Sequence, residues 1–377
     1  MVADRLLLSC PISQFLNPPD GGRILVNAES SKSQLDTTMQ SMKVVVVGAG
    51  VVGLSTAVCI AETLPHCSVT VISERFTPDT TSDGAAGILF ASQFPDIPLE
   101  RQQRWFKESF DHLLAIAQSS KSGETGVILS SGCQVFKEVP ADKRPFWAEH
   151  VLGFRFLSDR ELKRFPDHKF GQAFTTIKCE CTTYLPWLEK RFGKAGGKIL
   201  YGKVSDLQRL ADTYDVIVNC SGLGAHSLVG DAKMHPIRGQ ILKFHAPWVK
   251  NFVRDGDGHT YIYPGMNSVT LGGTRQAGDW RLEVDVGDRE GILERCFRLE
   301  PALHGGKVVG EWVGLRPGRE SPRVEVEWLR TAGGQEVPLV HNYGHGGFGV
   351  TLAWGTALDA LGLVRQSLLQ HPPMAKL

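Results

Sequence analysis

The chain has 377 residues, enough for a large buried core and for about two domains. Its 41 Lys and Arg against 40 Asp and Glu leave a net charge of +1, which excludes a strong field for nucleic acid or an anionic membrane. Eight cysteines are too sparse for a disulfide framework, and no apolar run approaches the ~20 residues that span a bilayer, so a soluble protein of a reducing, intracellular compartment is expected.

Residues 1–42 mix Pro18, Pro19, Gly21 and Gly22 with a Ser/Thr-rich run and read as a flexible extension. Leu6-Leu7-Leu8 is too short for a secretory segment, and Asp4, Asp20, Glu29 and Asp36 argue against a mitochondrial presequence. From Val44 to Gly53, four valines run into closely spaced glycines and then a helical pattern. The valines suit a buried parallel strand, Gly48 a sharp turn, Gly50 the approach of a phosphate, and Gly53 close helix–strand packing. A second strand, Ser68 to Ser73, ends at Glu74, which lies 74 − 53 = 21 positions past Gly53, the place for a carboxylate that accepts a ribose hydroxyl. This arrangement predicts a dinucleotide site, with NAD and FAD both open at this point.

The loop from Arg75 to Gly87 is rich in small residues and hydroxyls and can bind phosphate, although a plain surface turn fits it nearly as well. Residues 99–119 carry a helical pattern through Trp105, Phe106, Leu113, Leu114 and Ala117. The stretch 132–174 is mixed, with short strands near 134–137 and a helix near 159–164. A helix over 182–193 and a buried strand from Tyr214 to Cys220, turning at Ser221-Gly222, return the chain to the first sheet. Residues 240–245, 260–264 and 269–274 alternate like strands of an antiparallel sheet, and a hairpin is expected near 323–328. Finally, the run Val340 to Gly349 passes into a helix marked by Leu358, Leu361, Val364 and Leu368. This second glycine-rich strand-to-helix joint suggests another contact with the same dinucleotide, one that an extended FAD bridges. His341 and His345 have i, i+4 spacing, but the glycines around them oppose a helix, so zinc is not expected.

The run Val340 to Gly349, with Trp354-Gly355-Thr356-Ala357, Thr80-Thr81-Ser82-Asp83 and Ala85-Ala86-Gly87, resembles the signature of the D-amino-acid oxidase family, and the resemblance extends from Lys43 to about Gln366. It implies an α/β fold, with a Rossmann-like FAD-binding domain and a second, mixed or antiparallel-sheet substrate domain. The expected boundaries are an extension at 1–42, the flavin domain at 43–98, continued at 99–235 with interleaved substrate segments, the substrate domain at 236–330, and the last flavin segment and tail at 331–377.

By the same resemblance, Arg316 in Gly314-Leu315-Arg316-Pro317 matches an arginine that clamps the substrate α-carboxylate, Tyr261 a tyrosine that hydrogen-bonds it, and the Gly347 carbonyl an acceptor for the amine. Tyr263, two positions from Tyr261 on a strand, shares its face. Flavin contacts are implied for Gly48, Gly50, Val51, Val52, Gly53, Glu74, Arg75, Thr81, Ser82, Gly87, Val204, Ser221, Gly222, Gly346, Gly349 and Thr351. Residues 260–265, 270–276 and 278–280 resemble the branch that oxidises acidic D-amino acids. Arg275 stands where relatives with neutral substrates carry an uncharged residue, and Arg254 matches another arginine linked with acidic substrates. Arg254 ranks below Arg275, because a loop setting would leave it solvated.

The implied reaction moves the α-hydrogen as hydride to flavin N5, giving an imino acid that hydrolyses to 2-oxo acid and ammonia, while oxygen becomes hydrogen peroxide. D-Aspartate, with D-glutamate, is the expected substrate. The alternatives are an oxidase of neutral D-amino acids with Arg275 facing solvent, and a flavoprotein impaired by the departures from the family at Phe90-Ala91-Ser92-Gln93-Phe94 and Ala353. The ending Ala375-Lys376-Leu377 resembles the S-K-L address and implies the peroxisomal matrix, with an import receptor as partner. Neither nucleic acid nor membrane is expected to bind, and a homo-oligomer is compatible with the sequence.

Overall fold

Strand β1 (Met42–Val47) is the centre of a six-stranded sheet, and its valines are fully or almost fully buried because both faces of the sheet are covered. The computed structural model describes residues 42–331 and 333–370; the expected extension, apart from Met42, and the C-terminal tripeptide lie outside them. Met42, assigned to the extension from sequence, is the first residue of β1. The strand order is Arg323–Arg330, Glu336–Tyr343, Val216–Asn219, β1, β2 (Cys67–Ser73) and Lys198–Tyr201, parallel except for the first, antiparallel pair.

Helix α1 (Val51–Thr63) connects β1 to β2 and is buried almost all round, between the sheet and the helices Cys181–Lys194 and Gly349–Gln370. The helical stretch Gly346–Gln370, which contains the helix Gly349–Gln370, is long and apolar enough to cross a membrane by length and composition, which the sequence reading did not anticipate. Polar Thr351, Thr356, Asp359 and Ser367 interrupt the run in sequence. Within the fold it is a core helix, with Leu352, Ala353, Ala357, Ala360, Leu361 and Val364 packed in the main cluster against α1 and Leu99–Ala117.

A nine-stranded mixed sheet forms the second layer, in the order Gln276–Ala277, His235–His245, Val269–Gly272, Tyr261–Pro264, Phe252–Asp255, Val127–Phe136, Phe170–Cys179 and Leu152–Phe156, with Lys307–Gly318 also paired to His235–His245. Only Val127–Phe136 and Phe252–Asp255 run parallel.

Two differences from the sequence reading concern register. The short strands expected near 134–137 are the end of a ten-residue strand paired along its whole length with Phe170–Cys179, a pairing between segments too distant to show in local pattern. The hairpin expected near 323–328 forms from Arg323–Arg330 and Glu336–Tyr343, but a short link folds it onto the edge of the six-stranded sheet and not with the substrate segments.

Candidate active site

The carboxyl ends of β1, β2, Val216–Asn219 and Glu336–Tyr343 open into one cavity of about 1440 Å3 that continues onto the face of the nine-stranded sheet. Ligands of open α/β sheets bind at this end of the strands. At the cradle, Gly48 has φ of 110°, and a Cβ there would collide with the Cys220 carbonyl; a Cβ at Gly53 would collide with the Gly48 carbonyl. The turn therefore closes tightly only with glycine, and Gly50, Val51, Val52 and Gly53 line the cavity at the N-terminus of α1.

The loop after Glu74 is a built bracket and not a loose turn. Asp83 accepts from Thr77 Oγ1 (2.6 Å), from Thr80 N (2.9 Å) and from Thr80 Oγ1 (2.6 Å). Ser82 Oγ accepts from Val51 N (3.0 Å), and Thr81 Oγ1 donates to the Leu315 carbonyl (3.2 Å), so the loop ties the cradle to the second sheet. Glu74 and Arg75 line the cavity, Glu74 in an exposed ion pair with Lys203 at 3.8 Å. Ser221 donates from N (3.2 Å) and Oγ (2.7 Å) to Asn219 Oδ1, which fixes the turn through Gly222.

Gly87, Gly346, Gly347, Gly349 and Thr351 also line the cavity, and the N-termini of α1 and the helix Gly349–Gln370 meet there, since a Cβ on Gly349 would lie 3.9 Å from Val51 Cγ1. Val204 is the one expected cofactor residue not brought to the cavity. It packs beside the cluster of Val45, Val47, Leu207 and Ile217. His341 and His345 are occupied separately, His341 with Glu327 (3.0 Å) and Asn219 (3.3 Å), His345 with Thr356 Oγ1 (3.1 Å).

On the second sheet, one cross-strand row forms the cavity wall. Gln172, Gln134, Arg254, Tyr261, Gly272, Ile241 and Trp312 stand successively opposite one another on seven strands, and all but Gly272 line the cavity. Directly opposed residues share a face, so the row is imposed by register. Gly272 is empty of side chain for a reason: a Cβ there would fall within the Tyr261 ring. Tyr261 and Tyr263 stack with centroids 4.6 Å apart. Burial pushes both hydroxyls up, opposed at Tyr261 chiefly by Arg316 and at Tyr263 by Arg254.

Trp312, Gly314 and Arg316 alternate onto the same wall, where Arg316 Nη1 donates to the Thr274 carbonyl (3.1 Å). Arg275 lies at the exposed rim. Its charged form is disfavoured first by burial, then by Arg316 and Arg254, so both other guanidinium groups act on Arg275 across one space. Arg254 is the buried member, 8% exposed, on the strand Phe252–Asp255; its Nε and Nη1 have no hydrogen-bond partner, and its Cζ lies 3.6 Å from the Phe90 ring centroid. The adjacent Asp255 is turned to His168 Nε2 (3.0 Å). The solvated loop setting expected for Arg254 is not found: Arg254 is enclosed in the sheet, and Arg275 is the exposed one.

Sequence reasoning singled out Phe90 only as part of a departing segment and missed Phe348, Trp312, Gln134 and Gln172 as wall residues. The period-two spacing of Trp312 with Arg316 was a usable signal; the others depend on long-range register.

A glycine cradle at a helix N-terminus, a long cavity and cations at its far end define a dinucleotide-dependent enzyme of small anionic substrates. The family model of FAD dependent oxidoreductases (DAO) matches residues 43–360, and the chain belongs to that family, with FAD as its cofactor. It is 55% identical over 328 residues to D-aspartate oxidase of Homo sapiens, covering 87% of this chain and 96% of that one. It is 39% identical over 333 residues to D-aspartate oxidase 1 of Caenorhabditis elegans, covering 86% and 98%. Glycine oxidase from Geobacillus kaustophilus shares the fold, with a TM-score of 0.69 at 21% identity over 86% of this chain and 95% of that one. The resemblance read from the sequence is thereby borne out. The cradle suits FAD: Gly48 and Gly53 let the turn close tightly against α1, whose N-terminus lines the cavity, the place for a pyrophosphate.

Proposed function

We propose that this chain is an FAD-dependent oxidase of acidic D-amino acids, D-aspartate first and D-glutamate second, yielding the 2-oxo acid, ammonia and hydrogen peroxide. The observation that carries the reading is Arg254, a buried guanidinium on the cavity wall with two unpartnered N–H donors, facing two further arginines. A buried unpaired cation is costly, and a substrate with a second carboxylate relieves that cost where alanine does not. The 55% identity to a D-aspartate oxidase supports the same substrate class.

Bound FAD supplies the acceptor for the substrate's hydrogen and electron pair, which oxygen then takes up. Arg316 holds the α-carboxylate through two parallel charge-assisted hydrogen bonds, and the Tyr261 hydroxyl donates to the same group. The Gly347 carbonyl accepts from the amine, while Arg254 and Arg275 take the side-chain carboxylate. Tyr263 supports Tyr261 by stacking. These residues bind and orient, and no side chain is needed as a general base.

The ending Ala375-Lys376-Leu377 supports a peroxisomal matrix location through an import receptor, and a homo-oligomer is compatible with the reading. A fluorescent fusion with and without the last three residues tests the location. The activity is tested by peroxide release from the purified protein with excess FAD on D-aspartate, D-alanine and L-aspartate. Release on D-aspartate is expected. A preference for D-alanine overturns the roles of Arg254 and Arg275, and silence on all three points to an impaired flavoprotein.

A further inference from the structure

Arg254 is held by an aromatic face and not by a carboxylate. Its Cζ sits 3.6 Å from the centroid of Phe90. Phe348 meets Phe90 edge-on at 5.9 Å and 88°, and meets Phe94 edge-on at 6.0 Å and 84°, so Phe90 is buttressed by a second ring that Phe94 braces in turn. The backbone under each outer ring is clamped. Leu89 N donates to the Ile177 carbonyl (3.0 Å), Thr176 Oγ1 donates to the Leu89 carbonyl (2.7 Å), and Trp147 Nε1 donates to the Ala91 carbonyl (2.9 Å), which fixes Phe90 from both sides. Gln102 does the same for Phe94, accepting from its N–H at 2.8 Å and donating to its carbonyl at 2.9 Å. The three rings form one fixed cluster, of which Phe90 and Phe348 line the cavity.

A stack of this kind has a consequence that an ion pair lacks. The ring attracts the guanidinium through its π face, at right angles to the N–H bonds, so the in-plane donors stay available. A protein carboxylate in that position would consume those donors. Nε and Nη1 of Arg254 are buried and have no partner, which this arrangement allows.

We propose that Phe90, buttressed by Phe348 and Phe94, is a positioning residue that presents the Arg254 guanidinium to the second carboxylate of the substrate and thereby sets the preference for dicarboxylates. The inference rests on the acidic-substrate reading above and names the residue that makes it selective. The segment Phe90 to Phe94, a departure from the family pattern in sequence, becomes on this view a part of the specificity apparatus.

The test uses the FAD-loaded enzyme and its Phe90→Leu, Phe90→Tyr and Phe348→Leu variants. Two quantities are read: the ratio of kcat/KM for D-aspartate over D-alanine, and the binding of succinate against butyrate, four-carbon acids that differ by one carboxylate. Phe90→Leu keeps bulk and removes the π face, so the ratio falls roughly five- to thirtyfold, mainly through KM for D-aspartate, and succinate binding weakens by a similar factor. Phe90→Tyr restores both, and Phe348→Leu gives a smaller fall in the same direction. A Phe90→Leu enzyme with an unaltered ratio, an equal loss on both substrates, or a Phe90→Tyr variant no better than Phe90→Leu overturns the proposal. Succinate binding, followed by flavin absorbance, reads the platform even where D-aspartate is not turned over, so failure of the activity and failure of the platform are told apart.

Discussion

Arg254 and Tyr261 stand directly opposite each other on adjacent antiparallel strands, and Tyr261 stands opposite Gly272 on its other side. Strand register alone thus brings a buried cation, a phenol and an open space for its ring onto one wall. On the proposed reading the arrangement separates two tasks: Arg316 and Tyr261 for the carboxylate every amino acid has, Arg254 and Arg275 for the one only acidic substrates have.

The first expectation concerns Arg316. Arg316→Lys retains the charge but not the parallel pair of donors, so kcat/KM falls at least roughly tenfold on D-aspartate and D-alanine alike. Steady-state kinetics on both substrates check this, and a loss confined to D-aspartate would contradict the assignment.

Arg254→Met is expected to trade function for stability. Removing a buried, unpaired charge in favour of an apolar chain stabilises by about 1–3 kcal/mol, while activity on D-aspartate collapses and that on D-alanine holds or rises. Arg275→Ala, at the exposed rim, loses less on D-aspartate than Arg254→Ala does. Chemical denaturation of the apoprotein measures the first effect; a destabilised Arg254→Met would show that the guanidinium has partners after all.

Gly53→Ala places a methyl group against the Gly48 carbonyl and must displace α1 or the turn. The protein should purify colourless, with FAD affinity at least roughly tenfold lower. Retention of yellow flavin at native occupancy would show the cradle to be incidental.

His345 is 2% exposed, and burial pulls its imidazole down to about 4 from 6.5. The unfolded chain therefore binds the proton first on acidification. The stability from neutral His345 is complete above about pH 6.5 and is lost progressively as pH falls toward 4, by about 3 kcal/mol in all. Burial lowers His112 and His341 in the same direction. Denaturation midpoints between pH 4 and 7 should slope less steeply for His345→Gln than for the native chain, and equal slopes would refute the assignment.

How much of this was legible in sequence varies with the range of the interaction. The β1–α1 cradle was readable because its parts are contiguous: the valines, the spaced glycines and the acid after β2 each have a local physical reason. The place of Arg316 and Tyr261 on the cavity was readable through a motif. Arg254 was misjudged because the residues after it, Asp255-Gly256-Asp257-Gly258, look like loop, whereas its burial comes from pairing with Val127–Phe136, more than a hundred residues earlier. The Phe90 platform was invisible for the same reason: its ring meets Arg254 and Phe348, neither near it in the chain. Val204, carried over by resemblance, sits in a neighbouring apolar cluster, which a local pattern cannot distinguish from a cavity lining.

The most direct measurement compares kcat/KM for D-aspartate and D-asparagine, which are nearly isosteric and differ by one charge. If Arg254 and Arg275 receive the side-chain carboxylate, D-aspartate is preferred by roughly a hundredfold or more, the loss expected when a buried cation is left facing an uncharged amide. Equal efficiency on the two would contradict the account, leaving the flavin site and Arg316 in place but removing the reason for three arginines around one space.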